Sequence, residues 1–74
     1  MSLDYRKLRG RIVEICGTQA EFSKRMGRSQ KTISLKLNGK LMFDQKEIDQ
    51  AISVLQLTHA DIPGYFFSPE VKSI

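Results

Sequence analysis

Gln30, Lys31 and Ser34 are the residues of this chain whose types and spacing best suit a defined chemistry. They lie in the stretch SQKTISLKL, where Ile33 and Leu37 stand four residues apart. A helix there turns Ile33 and Leu37 inward and leaves the other three on the outer face of its N-terminal half. A glutamine amide can bridge adenine N6 and N7, a lysine can donate to guanine O6 and N7, and a serine hydroxyl can adapt to either. That is the chemistry of reading base edges in a major groove. The plain alternative is three ordinary solvent-facing residues. Catalysis has no comparable set. The one histidine, His59, stands in the first turn of a short predicted helix without a nucleophile near it in sequence, as a surface or capping residue. The one cysteine, Cys16, excludes an internal disulfide and reads as a small apolar residue; with a single histidine beside it there is no zinc set. Gly39-Lys40 is followed by no Ser or Thr and preceded by no strand, so it is not a phosphate loop. No catalytic residue, metal, cofactor or small-molecule substrate is expected.

The elements that must position those residues are marked by caps. Thr18 and Glu21 have the spacing of a capping box for a helix from about Gln19 to Met26, and Ser29 is the N-cap candidate of the next, from about Gln30 to Leu37. Between them Gly27 stands where a helix must end and turn sharply, a place that favours positive φ. Asn38-Gly39 supplies the second stop. Two short helices joined by a three- or four-residue turn with glycine have the sequence form of a helix-turn-helix.

Upstream, Asp4 can cap a helix ending at about Cys16 and Gly17, with Tyr5, Leu8, Ile12 and Ile15 on one face. Its first two turns hold Arg6, Lys7, Arg9 and Arg11, which oppose the helix dipole. Facing phosphates or remaining solvated would both account for them. Downstream, Asp44 and Glu47 again have capping-box spacing, and Phe43 can staple onto Ile48. Ile48, Ala51, Ile52 and Leu55 form the core stripe of that fourth helix; Glu47 and Asp49 make it acidic, so it should face away from a polyanion. A short fifth turn spans residues 58–62, with Thr58 and Asp61 at capping spacing and Pro63-Gly64 as its stop. Tyr65, Phe66 and Phe67 follow.

Charge is uneven along the chain. The whole carries +4, but residues 1–40 hold ten Lys and Arg against three acids, a balance of +7, and residues 41–74 hold two against five, a balance of −3. The basic half contains the paired helices, which suggests one face meant for a polyanion. RNA is the weaker candidate, because no stacking aromatics fall on that face. No apolar run approaches the roughly 20 residues that span a membrane, and the basic start RKLRGR leads only to IVEIC before an acid interrupts, so no secretory signal is read and a cytoplasmic protein is expected. With 74 residues the chain makes one domain at most, its core at 4–67 and a frayed polar tail at 68–74.

The spacing of Gln19, Phe22, Ser23, Met26, Gly27, Ile33 and Asn38-Gly39 resembles the helix-turn-helix of phage Cro and lambda-repressor-like DNA-binding proteins, and KLNGKLMFDQKEI is similar to a pattern in small phage regulators of that kind. The likeness runs over residues 5–67. Three positions depart from it: Arg28 follows the turn glycine where an apolar residue is usual, Ser23 stands where alanine is commonest, and Lys36 replaces an Ile or Leu. The resemblance implies an all-α, five-helix lambda-repressor-like DNA-binding domain. It implies a sequence-specific regulator, a Cro-like phage or prophage repressor that binds double-stranded operator DNA as a homodimer. Base readout then falls to Gln30, Lys31 and Ser34, and contact with the DNA backbone or orientation to Gln19, Arg28, Ser29, Asn38 and Lys40. A dimer contact would come from Tyr65, Phe66 and Phe67, with the competing reading that Tyr65 and Phe66 fold back to close the core. The alternative function is a small helical interaction module of the anti-repressor type, which binds another regulator rather than DNA.

Overall fold

Among the described residues, five helices and one 3₁₀ turn follow one another: α1 (Arg6–Cys16), α2 (Gln19–Met26), α3 (Gln30–Leu37), α4 (Gln45–Val54), the 3₁₀ turn His59–Asp61, and α5 (Ile62–Phe66). The computed structural model describes residues 3–68. Most of the expected tail, residues 69–74, lies outside the described residues. The fold is all-α, as expected. Helix α2 packs on α1, α3 and α4, while α5 closes against α1 and α4.

The apolar stripes meet in one core. Leu8 and Ile12 of α1, Phe22 and Met26 of α2, Ile33 and Leu37 of α3, and Ile48, Ala51 and Ile52 of α4 are all buried, with Leu55 just beyond. Aromatic rings join the two ends of the chain through the loop before α4. Phe43 stands edge-on to Tyr5, with centroids 5.7 Å apart, and edge-on to Phe66 at 5.4 Å, the geometry that ring quadrupoles favour. Phe66, at 1% exposure, therefore belongs to the core of its own chain. Leu3 packs against this core as well, and the Asp4 N–H donates to the Ser68 carbonyl at 2.7 Å. Ser68, expected to fray, is tied down.

The ends of the helices explain where they stop. Gly27 adopts φ +68°, and the turn closes with Arg28 N–H on the Ser23 carbonyl (3.0 Å) and Gly27 N–H on that of Lys24 (3.1 Å). This is a Schellman arrangement. Helix α3 ends in the same way: Gly39 has φ +76°, Lys40 N–H reaches Leu35 O at 2.8 Å, and Gly39 N–H reaches Lys36 O at 3.1 Å. Helix α4 repeats the pattern without glycine. Gln56 takes φ +57°, with Leu57 N–H on Ile52 O at 2.8 Å. A side chain there costs about 1–2 kcal/mol, and with glutamine in place of glycine or asparagine nothing in the sequence marked that boundary.

Three local expectations are corrected. The Thr18–Glu21 box is half formed: the Thr18 hydroxyl accepts from the Glu21 N–H at 3.1 Å, but the Glu21 carboxylate accepts from Arg25 at 2.9 Å, one turn on. The Asp44–Glu47 box, by contrast, has both bonds. Pro63-Gly64 does not stop a helix but lies inside α5. Proline is accommodated in a first turn because the N–H it lacks has no intrahelical acceptor there. Finally, Glu47 does not lend α4 an acidic outer face; at 3% exposure it is buried.

Candidate functional site

The α2–turn–α3 unit owes its geometry to α4. The Gln50 amide donates to the Met26 carbonyl at 2.9 Å, holding the end of α2. One turn earlier, Glu47 accepts from Lys36 Nζ at 2.7 Å, from Arg28 Nε at 3.2 Å and from the Asp44 N–H at 3.0 Å. Lys36 Nζ also donates to the Met42 carbonyl at 2.8 Å. The two departures from the family pattern at 28 and 36 are thus partners of one buried carboxylate. Burial pushes the Glu47 carboxyl upward, but the bonds from Asp44, Lys36 and Arg28 outweigh it and hold the group below its ordinary range. Sequence reasoning missed this cluster, although a basic residue at an inward position of α3 was its signal: a buried ammonium requires a buried anion.

The outer face of α3 carries the predicted readout residues. Gln30 and Lys31 are exposed on its first turn, and Ser34 is half-buried one turn on. Asn38 Nδ2 donates to the Ser34 hydroxyl at 3.4 Å. Ser29 is the N-cap expected: its hydroxyl accepts from the Thr32 N–H at 3.1 Å and donates to the Thr32 hydroxyl at 2.9 Å. Gln19, half-buried at the start of α2, accepts through its carbonyl from the Ser23 hydroxyl at 2.9 Å. That bond satisfies the hydroxyl of Ser23, a small buried residue of α2. Lys40 is exposed beyond α3.

The α1 cations have partners within the chain. Arg6 pairs with Asp4 at 2.8 Å, and this hydrogen bonding holds the Asp4 carboxyl below its usual range. Lys7 Nζ stands over the Tyr65 ring, 4.7 Å from its centroid. Arg9 reaches the end of α3, donating to Leu37 O at 3.0 Å and Asn38 Oδ1 at 2.8 Å. Arg11 donates to Leu55 O at 2.9 Å and Gln56 O at 3.2 Å, and also pairs with Glu14. Two of the four thus cap the C-terminal carbonyls of other helices, where a cation meets the negative end of the dipole. This explains a basic first helix without invoking a ligand.

Of the aromatic triplet, Tyr65 is half-buried beneath Lys7 and Phe66 is core, so Phe67, at 50% exposure, is the ring left open. Burial pushes the half-buried Cys16 thiol up, against a partial pull from Arg25. Among the described residues no group of three or more His, Cys, Asp and Glu could hold a metal ion. Among the same residues no helix is long and apolar enough to cross a membrane.

The described residues thus form a small all-helical unit with one helix face open on a clamped turn. The chain belongs to the family described as protein of unknown function (DUF739), whose model matches residues 1–69. It is similar to the solution structure of the modulator of repression (MOR) of the temperate bacteriophage TP901-1 from Lactococcus lactis, with 50% identity, 97% of each chain covered and a TM-score of 0.82. No curated protein matches the chain.

Proposed function

We propose that this chain is a small phage or prophage regulator that modulates repression by binding another regulator, a module of the anti-repressor type. The reading is carried by its likeness to the TP901-1 modulator of repression, at 50% identity over 97% of both chains. Local geometry supports it. The side chains of Arg28, Ser29 and Asn38, three of the five residues suited to a DNA backbone, are engaged by Glu47, Thr32 and Arg9. The protein-binding role needs none of them released. The test is calorimetric titration of the purified chain against the repressor encoded in the same phage genome, with a repressed reporter alongside. Direct binding together with relief or strengthening of repression is expected; no binding to the repressor under any salt condition would reject the proposal.

A second reading is kept because one observation favours it. Gln30 and Lys31 are exposed on the outer face of the first turn of α3, and neither side chain hydrogen-bonds to another of the described residues. In this reading the α2–turn–α3 unit is a Cro-like helix-turn-helix that reads duplex operator DNA through Gln30, Lys31 and Ser34. Gln19 and Lys40 stand near the backbone, and two copies pair through Phe67 so that their recognition helices sit one duplex turn apart, about 34 Å. Duplex affinity that falls steeply with salt and depends on base sequence supports this reading; weak affinity indifferent to sequence rejects it.

A further inference from the structure

Two of the large apolar side chains left exposed lie next to each other, immediately after α3. Leu41 is 45% exposed and Met42 67%. An ordinary loop tip would be polar and loose, but this one is held. Lys40 N–H donates to Leu35 O at 2.8 Å, Leu41 N–H to the same carbonyl at 3.3 Å, and the Met42 carbonyl accepts from Lys36 Nζ at 2.8 Å. The Lys36 ammonium is itself fixed by Glu47. The backbone of three consecutive residues is therefore pinned while the two apolar side chains it carries face solvent. Ordering them before contact lowers the entropy that binding must overcome, which is how a contact becomes an anchor.

We propose that Leu41 and Met42 are the anchor by which this chain grips a partner protein, whose surface there is an apolar cleft edged with carboxylates. The inference rests on the protein-binding function proposed above and assigns its surface. The rim of the patch selects the partner's charge. Residues 28–43 contain no carboxylate, and the next residue, Asp44, has its carboxylate engaged by the Glu47 N–H at the start of α4. Of the four cations in residues 28–43, Arg28 and Lys36 share the Glu47 carboxylate as ion-pair partner. Lys31, one turn before Leu35, and Lys40, beside Leu41, are exposed and outside every ion pair among the described residues. A second copy of this chain would set the same unpaired lysines against each other across a two-fold axis. Phosphates would suit the lysines but give Leu41 and Met42 nothing to bury against. An acid-edged apolar cleft satisfies both. Because Lys31 also belongs to the outer face of α3, partner and duplex exclude each other.

The test is titration of purified full-length chains against the repressor encoded by the same phage genome, at low and high salt, with circular dichroism confirming the fold. The changes are Leu41→Ser with Met42→Ser, Met42→Ser alone in case the pair perturbs folding, Lys40→Glu, and Val13→Ser as an exposed apolar control on α1. The anchor variants are expected to weaken binding by about tenfold or more. Lys40→Glu should weaken it at low salt with the deficit shrinking at high salt, and Val13→Ser should bind as the parent does. If the parent binds the repressor and the Leu41/Met42 variants bind equally well, the anchor is elsewhere and the proposal fails while the function stands. If the parent does not bind it at all, the function and the anchor fall together. Variants that lose only duplex affinity, or only self-association, assign the patch to DNA or to a second copy and overturn the proposal.

Discussion

Replacing Glu47 by alanine should remove a large share of the stability of the fold, although Glu47 stands on a helix face that by composition looks like surface. The change removes the acceptor of three hydrogen bonds, from Lys36, Arg28 and the Asp44 N–H. Arg28 is exposed enough to turn to water, but Lys36 is 8% exposed and keeps only the Met42 carbonyl and the face of the Phe43 ring, 5.8 Å from its centroid. Breaking a buried pair in this way costs about 3–5 kcal/mol, mostly the penalty of the orphaned charge. At 0.05–0.15 kcal/mol per residue a chain of this length has roughly 4–11 kcal/mol of stability, so the loss is a large share of the whole. Removing both charges is a different matter. Lys36→Leu combined with Glu47→Leu leaves no buried charge unpaired, returns the exposed Arg28 and the Asp44 N–H to water and puts an aliphatic residue in α3, so its stability should lie within about 1 kcal/mol of the parent, or above it. Urea unfolding followed by circular dichroism measures the four corners of the cycle. If Glu47→Ala costs less than about 1 kcal/mol, the value of an exposed pair, or if the two single losses simply add, the cluster is not the clamp described here.

Further outcomes follow from the same contacts. Because the Glu47 carboxyl is held below its unfolded value, the native state binds fewer protons, and the stability it contributes is present above about pH 4–5 and is lost as pH falls through the lowered folded value; urea midpoints should drop on acidification, less steeply in Glu47→Gln. Gln56→Gly, at φ +57°, should stabilise by about 1 kcal/mol in the same assay. Deleting residues 65–74 should unfold the chain, since it removes Phe66 from beside Phe43, whereas Phe67→Ser should leave the melt unchanged and, if two copies pair there, lower the mass in solution. Under the DNA reading, Gln30→Ala and Lys31→Ala should each cost about 1–3 kcal/mol on the preferred duplex and relax one base position, and Gln19→Ala should weaken all duplexes; binding assays on folded variants decide.

What was legible in the sequence was whatever a single residue announces by itself. Gly27 and Gly39 declare the ends of α2 and α3 because only a residue without Cβ sits easily at φ +68° and +76°. Ser29 and Asp44 declare helix starts because their side chains do capping locally. The apolar stripes of α1 and α4 declare their buried faces because the helical period does not depend on the partner. What was not legible depended on pairing across the fold. Arg9 and Arg11 read as either phosphate-facing or solvated, yet they reach 28 and 44 residues along the chain to the ends of α3 and α4. Pro63 read as a stop because its place in a first turn depends on where the preceding 3₁₀ turn delivers the chain.

The cluster at Glu47 shows why such pairings also bear on function. In the pattern this chain resembles, an apolar residue is usual at position 28 and an Ile or Leu is often found at position 36, side chains that can pack but make no ion pair. Here both are cations, and the angle between α2 and α3 is set by a carboxylate on α4 that can be satisfied only when the turn, the end of α3 and the Met42 loop are all in place. A hydrogen-bonded ion cluster tolerates less sliding than an aliphatic contact, because a small displacement leaves a desolvated charge unpaired. The outer face of α3 and the Leu41–Met42 loop are therefore presented as one rigid unit. For a protein that must fit a surface of fixed shape, this rigidity lowers the cost of binding. It also makes Glu47 a residue whose loss would weaken recognition and folding together, while Met42, exposed and held only through its backbone, can be changed without touching either the clamp or the core.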